Sequence, residues 1–263
     1  MRSALLNLVS SRDHPLNSMR VFIVHAHHEP KSFNGAMTQE AVAALKSAGH
    51  EVIVSDLYSM GFNPVSDRRN FVTTANADYL RQQAEEIHAS ENEGFALDIR
   101  AELEKLFWCD ALIFQFPLWW FGLPAILKGW VDRVFAMRRV YGGGRYYDRG
   151  ILADRRAMCS LTTGGAAPSY SEHGLSGALS SILFPIHHGI FYFAGFTVIE
   201  PFIVHAPARI SQEERATHLA RYRERILDLP SAPTISYPKL EDYDERSVLK
   251  APPEPVGSRM PAI

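Results

Sequence analysis

The chain has 263 residues and a mass of 29.5 kDa, room for one large α/β domain or two small ones at about 100–200 residues per domain. Its 27 Lys+Arg and 29 Asp+Glu leave a formal net charge of −2, and 46% hydrophobic against 21% charged residues exclude wholesale disorder. A pI near 6.6 gives no electrostatic footprint for DNA or RNA, and two cysteines, Cys109 and Cys159, are too few for a disulfide framework or a four-cysteine zinc site and fit a reduced, cytoplasmic setting.

Residues 1–18 read as a disordered extension: the apolar run at 4–9 is short for a secretion signal and is interrupted by Asn7. VFIVHA at 21–26 is a compact apolar run predicted as the first buried strand. The polar loop HHEPKSFN (27–34) leads to a helix ending near Gly49, and EVIVSD (51–56) is the second strand. Residues 60–95 are polar, with weak helical signals over 78–88; a helix follows over 98–107, where Ile99, Leu103, Leu106 and Phe107 share a face. ALIFQF (111–116) is the third strand, 124–134 a helix, AMCSLTT (157–163) the fourth strand, 179–193 a buried helix, and TVIEPFIV (197–204) the fifth strand. A charged amphipathic helix over 212–227 closes a domain spanning 19–229, and 230–263 is an irregular tail rich in Pro and charge. The stretch 174–199 has no charged residue and is long enough to span a bilayer, but Pro185, His187, His188 and Gly195 favour a buried helix followed by a strand. Strands alternating with helices predict an α/β doubly wound parallel sheet.

In such a sheet, ligands sit beyond the carboxyl ends of the strands. Three loops meet there: HHEPKSFN, PLWWFG (117–122) and GGAAPSY (164–170). None contains the dinucleotide fingerprint G-x-G-x-x-G or a P-loop, which disfavours a Rossmann dehydrogenase or an NTPase. The first loop offers His27, Lys31 and Ser32 beside a helix N-terminus that can hold phosphate; a solvated loop capped by Asn34 is the equal alternative. Trp119, Trp120 and Phe121 fall on a turn rather than an element, positioned either for stacking a flat ligand or for packing a dimer interface. Thr162-Thr163-Gly164-Gly165 allows close backbone approach to a ring edge, within reach of Tyr170. Together the loops suggest a planar, phosphate-bearing cofactor such as a flavin.

SFN (32–34), SDLY (55–58), QFPLWWFGLPAILKGW (115–130), LTTGG (161–165) and LFPIHHGIFYFAGF (183–196), in this order, resemble the NAD(P)H:quinone oxidoreductases of the DT-diaphorase family from about residue 20 to 229. The resemblance implies a flavodoxin-like five-stranded sheet of order 2-1-3-4-5 with helices on both faces. It implies a homodimer with two sites at the interface, each holding FAD, with FMN a weaker alternative. The implied reaction is ping-pong: NAD(P)H gives hydride to flavin N5, then a quinone takes the same place and two electrons. His27, Ser32, Phe33 and Asn34 are implied on the pyrophosphate and adenylate side, Pro117, Leu118, Trp119, Trp120 and Phe121 along the ring, and Thr162, Thr163, Gly164 and Gly165 at its polar edge, with Arg215 as a further contact. Tyr170, with Gly164 and Gly165, is implied to stabilise charge on the reduced ring.

Trp120, Phe121, Tyr141 and Phe193 are implied to border the substrate. Three departures stand out. Ser176 occupies the position of a family relay histidine, so solvent or Tyr170 is expected to carry the proton. Gly143, in the run Gly142-Gly143-Gly144, replaces a second pocket tyrosine, which predicts a mobile, open pocket for bulky quinones. His188 matches one ligand of a metal site in some relatives, but Tyr192 replaces another and no cysteine follows Cys159, so no metal is predicted. Reduction of nitro or azo acceptors, or an ancillary role on a potassium-efflux transporter, are the alternative functions; the sequence predicts no membrane insertion.

Overall fold

The computed structural model describes residues 18–250. The expectations for the N-terminal extension before Ser18 and for the tail beyond Lys250 lie outside the described residues. Five strands, β1 (Arg20–His25), β2 (Glu51–Asp56), β3 (Ala111–Pro117), β4 (Arg156–Thr163) and β5 (Thr197–His205), pair in parallel in the order β2-β1-β3-β4-β5. Among the described residues no helix is long and apolar enough to cross a membrane.

Both faces of this sheet are buried, and the alternation of strand side chains sorts the core into two layers. Val21, Ile23, Ala111 and Ile113 pack against α1 (Phe33–Ser47) and α6 (Gln212–Leu227) through Met37, Ala41, Leu45, Tyr222 and Ile226. Phe22, Val24, Leu112 and Phe114 face α3 (Leu97–Trp108), α4 (Ala125–Val134) and α5 (Leu179–Ile186) through Ile99, Leu103, Trp130, Val134 and Leu183. Buried Glu102 takes hydrogen bonds from Trp130 Nε1 at 2.8 Å, Ser55 Oγ at 3.1 Å and Lys105 Nζ at 2.6 Å, which ties α3 to α4 and β2. Both cysteines are buried; Cys109 donates to the carbonyl of Leu106 at 3.3 Å, and burial pushes its thiol up to about 12 and that of Cys159 higher still.

Two predicted helices are corrected. The helix expected over 78–88 is α2 (Gln82–Glu91). It starts late because Asn76 Oδ1 accepts from the N–H groups of Asp78 and Tyr79, while Glu85 accepts from those of Ala75 and Asn76. These local bonds compete with helical ones. The expected buried helix over 179–193 is α-helical only through Ile186 and continues as a π-helical segment, His187–Tyr192. Pro185 lies inside α5 and has no N–H for the helical ladder. The element is buried on one side only, with Phe184 on the exposed side.

After α6 the chain returns to β5, and residues 233–235 lie along its free edge. Ile235 N–H donates to Val198 O at 2.8 Å and Glu200 N–H to Pro233 O at 2.9 Å. The first part of the edge strand, Val198–Glu200, is thereby covered.

Candidate active site

Because all five strands run the same way, the loops after β1, β3, β4 and β5 emerge at one edge of the sheet. The first carries α1, whose N-cap is Ser32, accepting from Gly35 N–H at 3.1 Å. The expectation of an Asn34 cap is therefore corrected: Asn34 lies within the first turn and its side chain points inward. Asn34 Nδ2 donates to Thr162 Oγ1 at 2.8 Å, and Asn34 Oδ1 accepts from Gln115 Nε2 at 2.8 Å. Tyr222 Oη donates to Gln115 Oε1 at 3.1 Å, completing a buried chain from α6 through β3 and α1 to β4. What Phe33 and Asn34 can offer an anion is their backbone N–H groups at the positive end of a 15-residue helix.

His27 accepts the Glu29 N–H on Nδ1 at 3.0 Å, which leaves Nε2–H as the donor of the neutral ring. Its pKa is held down by burial and then by the neighbouring His28. The two imidazoles stack at 4.8 Å, and Trp119 leans on both, 5.9 Å from His27 and 5.5 Å from His28. Lys31 is exposed; its N–H donates to Glu29 Oε1 at 2.8 Å.

Pro117 ends β3 and Leu118 is buried, its N–H donating to Thr162 O at 2.8 Å. The three aromatics that follow part company. Trp119 turns back onto the histidines, whereas Trp120 and Phe121 project outward, 98% and 54% exposed. They are the central residues of a tight turn closed by Gly122 N–H on Trp119 O at 3.0 Å. Their φ angles are 50° and 58°, a left-handed pair that short turns usually fill with Asn-Gly.

After β4, Thr163 Oγ1 donates to Gly165 O at 2.9 Å and lies 2.9 Å from His205 Nδ1. Gly164 is open: a Cβ there would meet nothing within 4 Å. At Gly165 a Cβ would come 3.2 Å from the ring of Tyr170, so the tyrosine lies directly over the glycine turn. Tyr170 also packs against His205 at 5.7 Å, and its hydroxyl has no hydrogen-bond partner among the described residues. Ser176 is held near Tyr170 by its own N–H on Ser169 O at 2.8 Å, while His173 is exposed. Arg215, in the first turn of α6, donates from Nε to Pro207 O at 2.9 Å and so braces the loop after β5.

Sequence reading missed His205, Gln115 and Tyr222. The parallel register places His205 opposite Thr163 at the ends of β5 and β4, so strand order alone could have nominated it. Gln115 is a polar residue inside an otherwise apolar strand, a visible signal of a buried network.

Tyr141 and Phe193 lie together elsewhere. Their rings are 5.5 Å apart, Gln83 Nε2 donates to Tyr141 Oη at 3.3 Å, and both line a cleft of about 520 Å³ with Glu86, Asp132 and Phe135. None of the residues lining that cleft belongs to the rim just described. Glu86 takes the Met137 N–H at 2.7 Å, and burial raises its pKa. The glycine run has a defined backbone path. Gly142, Gly143 and Gly144 all have positive φ and form a closed turn, with Arg145 N–H on Gly142 O at 3.2 Å. That turn delivers Tyr146 flat against Phe193, 6.1 Å between centroids and 10° between planes.

The rim suits a flavin on three counts visible in the chain itself: unpaired amides at a helix start, an open Gly164, and a free Tyr170 hydroxyl at the same edge. Comparison with known proteins agrees with the fold. A model of the flavodoxin-like fold family matches residues 19–226. The rat ribosyldihydronicotinamide dehydrogenase [quinone] is 43% identical over 209 residues, covering 79% of this chain and 90% of that one. Rat NAD(P)H dehydrogenase [quinone] 1 is 41% identical over 208 residues, covering 79% and 76%. A crystal structure from Klebsiella pneumoniae, provisionally described as a quinone reductase, superposes with a TM-score of 0.84 at 38% identity, over 89% of this chain and 94% of that one. The chain belongs to the flavodoxin-like fold family, and within it to the NAD(P)H:quinone oxidoreductases.

Proposed function

We propose that this protein is a two-electron quinone reductase that takes hydride from NAD(P)H by way of a non-covalent flavin, FAD by preference. The observation that carries the reading is the convergence, at one sheet edge, of the α1 start, the Trp120–Phe121 turn and the Gly164–Tyr170 loop. The names of relatives about 40% identical support it. Bound there, a flavin supplies the hydride chemistry at its N5 position.

The chain's own residues do the rest. The N–H groups of Phe33 and Asn34, with His27 Nε2, can hold phosphate. Trp120 and Phe121 give an apolar platform that excludes water and orients flat rings. Gly164, Gly165 and the Tyr170 hydroxyl can donate to a carbonyl edge where negative charge accumulates. The Ser176 hydroxyl makes no hydrogen bond to Tyr170, so we assign proton delivery to the tyrosine and solvent.

A homodimer completes the reading. Trp120 and Leu175 are almost fully exposed, at 98% and 100%, an unusual cost for large apolar side chains near a site. A second copy would cover them and could bring its Tyr141–Phe193 cleft to the rim. The test is direct. Purified protein should be yellow, release FAD on denaturation, sediment as a dimer, and give parallel-line kinetics when NAD(P)H and a naphthoquinone are varied. A colourless protein that no flavin reconstitutes ends this reading.

A further inference from the structure

The tail after α6 does more than cover the edge of β5. Beyond Ile235 it crosses to the π-helical segment, where Tyr237 stacks on Tyr192 with centroids 4.9 Å apart and meets His188 edge-on at 5.1 Å. Tyr192 Oη donates to Pro238 O at 2.9 Å. Two residues on, Leu240 N–H donates to Asp148 Oδ1 at 2.9 Å. The tail therefore grips two separate pieces of chain, the π-helical segment and the short turn Tyr147–Arg149.

Those two pieces are the ones that carry the aromatic wall beside the cleft. Tyr147 lies 5.4 Å from Tyr192, 5.2 Å from His188 and 5.4 Å from Phe193, the last in a perpendicular contact. Phe193 in turn carries Tyr146 on one side and Tyr141 on another. Tyr147 has a φ of 53°, a conformation a bulky residue adopts only when its surroundings impose it. Those surroundings are the rings of His188 and Tyr192 and the Asp148–Leu240 bond, so the tail is part of what imposes it.

We propose that Ile235–Asp242 is a strap that sets the acceptor selectivity of this enzyme, with Tyr237 as its fastening and Tyr146, Tyr147 and Phe193 as the wall it positions. The inference rests on the reading of the Tyr141–Phe193 cleft as the acceptor side of the site. Tyr237 is a positioning residue; its hydroxyl has no partner among the described residues, so its ring alone is at work.

Tyr237→Ala, Tyr237→Phe and Tyr192→Phe in the flavin-loaded full-length protein test this. In Tyr237→Ala, amide hydrogen exchange should accelerate at residues 141–149, and KM for a bulky 2-substituted naphthoquinone should rise about tenfold while the limiting rate of flavin reduction at saturating NAD(P)H stays within about twofold. Tyr237→Phe should restore both readouts, and Tyr192→Phe, which loses only the bond to Pro238, should fall between. Unchanged exchange at 141–149 in Tyr237→Ala overturns the strap. Faster exchange with an unmoved acceptor KM overturns its role in selectivity. A wild-type protein that reduces no quinone defeats the functional reading instead, and the exchange data then decide the strap by themselves.

Discussion

Trp120 and Phe121 are adjacent residues that both adopt left-handed backbone conformations, and both point their rings away from the fold. The left-handed region costs an L-residue roughly 1–2 kcal/mol, and neither ring regains that through packing in the single chain. Backbone strain of this kind gathers where a ligand or partner uses it. Replacing the pair with Asn-Gly (W120N together with F121G) should raise the urea stability of the dissociated, flavin-free chain by about 1–2 kcal/mol, and kcat/KM for quinones in the loaded protein should fall. A double variant that is no more stable than wild type would show that the turn is not strained.

Asn34 links Gln115 to Thr162 inside the protein. Asn34→Ala would strand a buried amide and a buried hydroxyl, at a cost of about 1–3 kcal/mol. Because Thr162 leads directly into the Gly164–Gly165 turn, flavin affinity should weaken as well. Chemical denaturation and cofactor titration of the same variant check both effects.

Tyr170→Phe should slow flavin reduction about tenfold, equivalent to roughly 1.4 kcal/mol of transition-state stabilisation. The hydroxyl has no partner within the described residues, so thermal stability should not change. Ser176→Ala should leave the rate intact; a large loss there in stopped flow would make the serine part of the proton path.

His187 is buried with Nε2 unpartnered, and burial depresses its pKa to about 4. The unfolded chain binds a proton near pH 6.5 that the folded chain refuses until about pH 4. Stability is therefore full above pH 6.5 and declines as pH falls towards 4, by on the order of 3 kcal/mol. His187→Phe should flatten that decline in denaturation curves taken between pH 4 and 7.

The five strands and the three rim loops were legible in the sequence because β-rich apolar runs and turn residues are local signals, whereas the order of the strands in the sheet followed only from the family resemblance. The inward turn of Asn34 was not legible, since only the distant partners Gln115 and Thr162 draw it in. Trp119 likewise reads like its two aromatic neighbours until His27 and His28 are placed beside it. At 142–144 the sequence shows only that glycine permits unusual backbone angles; the three consecutive positive φ values and the placement of Tyr146 beside Phe193 are set by the surrounding fold. At α5 the composition announced an apolar helix, but Pro185 and the wider turns after it depend on how the segment meets the sheet.

The concealment of both cysteines carries a chemical consequence. Quinones are electrophiles that alkylate exposed thiolates, and a protein that handles them repeatedly is at risk from its own substrates. With Cys109 and Cys159 sealed in the interior and held as neutral thiols, the folded chain presents no thiolate for such attack among its described residues. Resistance to arylation is built into the packing itself, and it lasts only as long as the core stays closed.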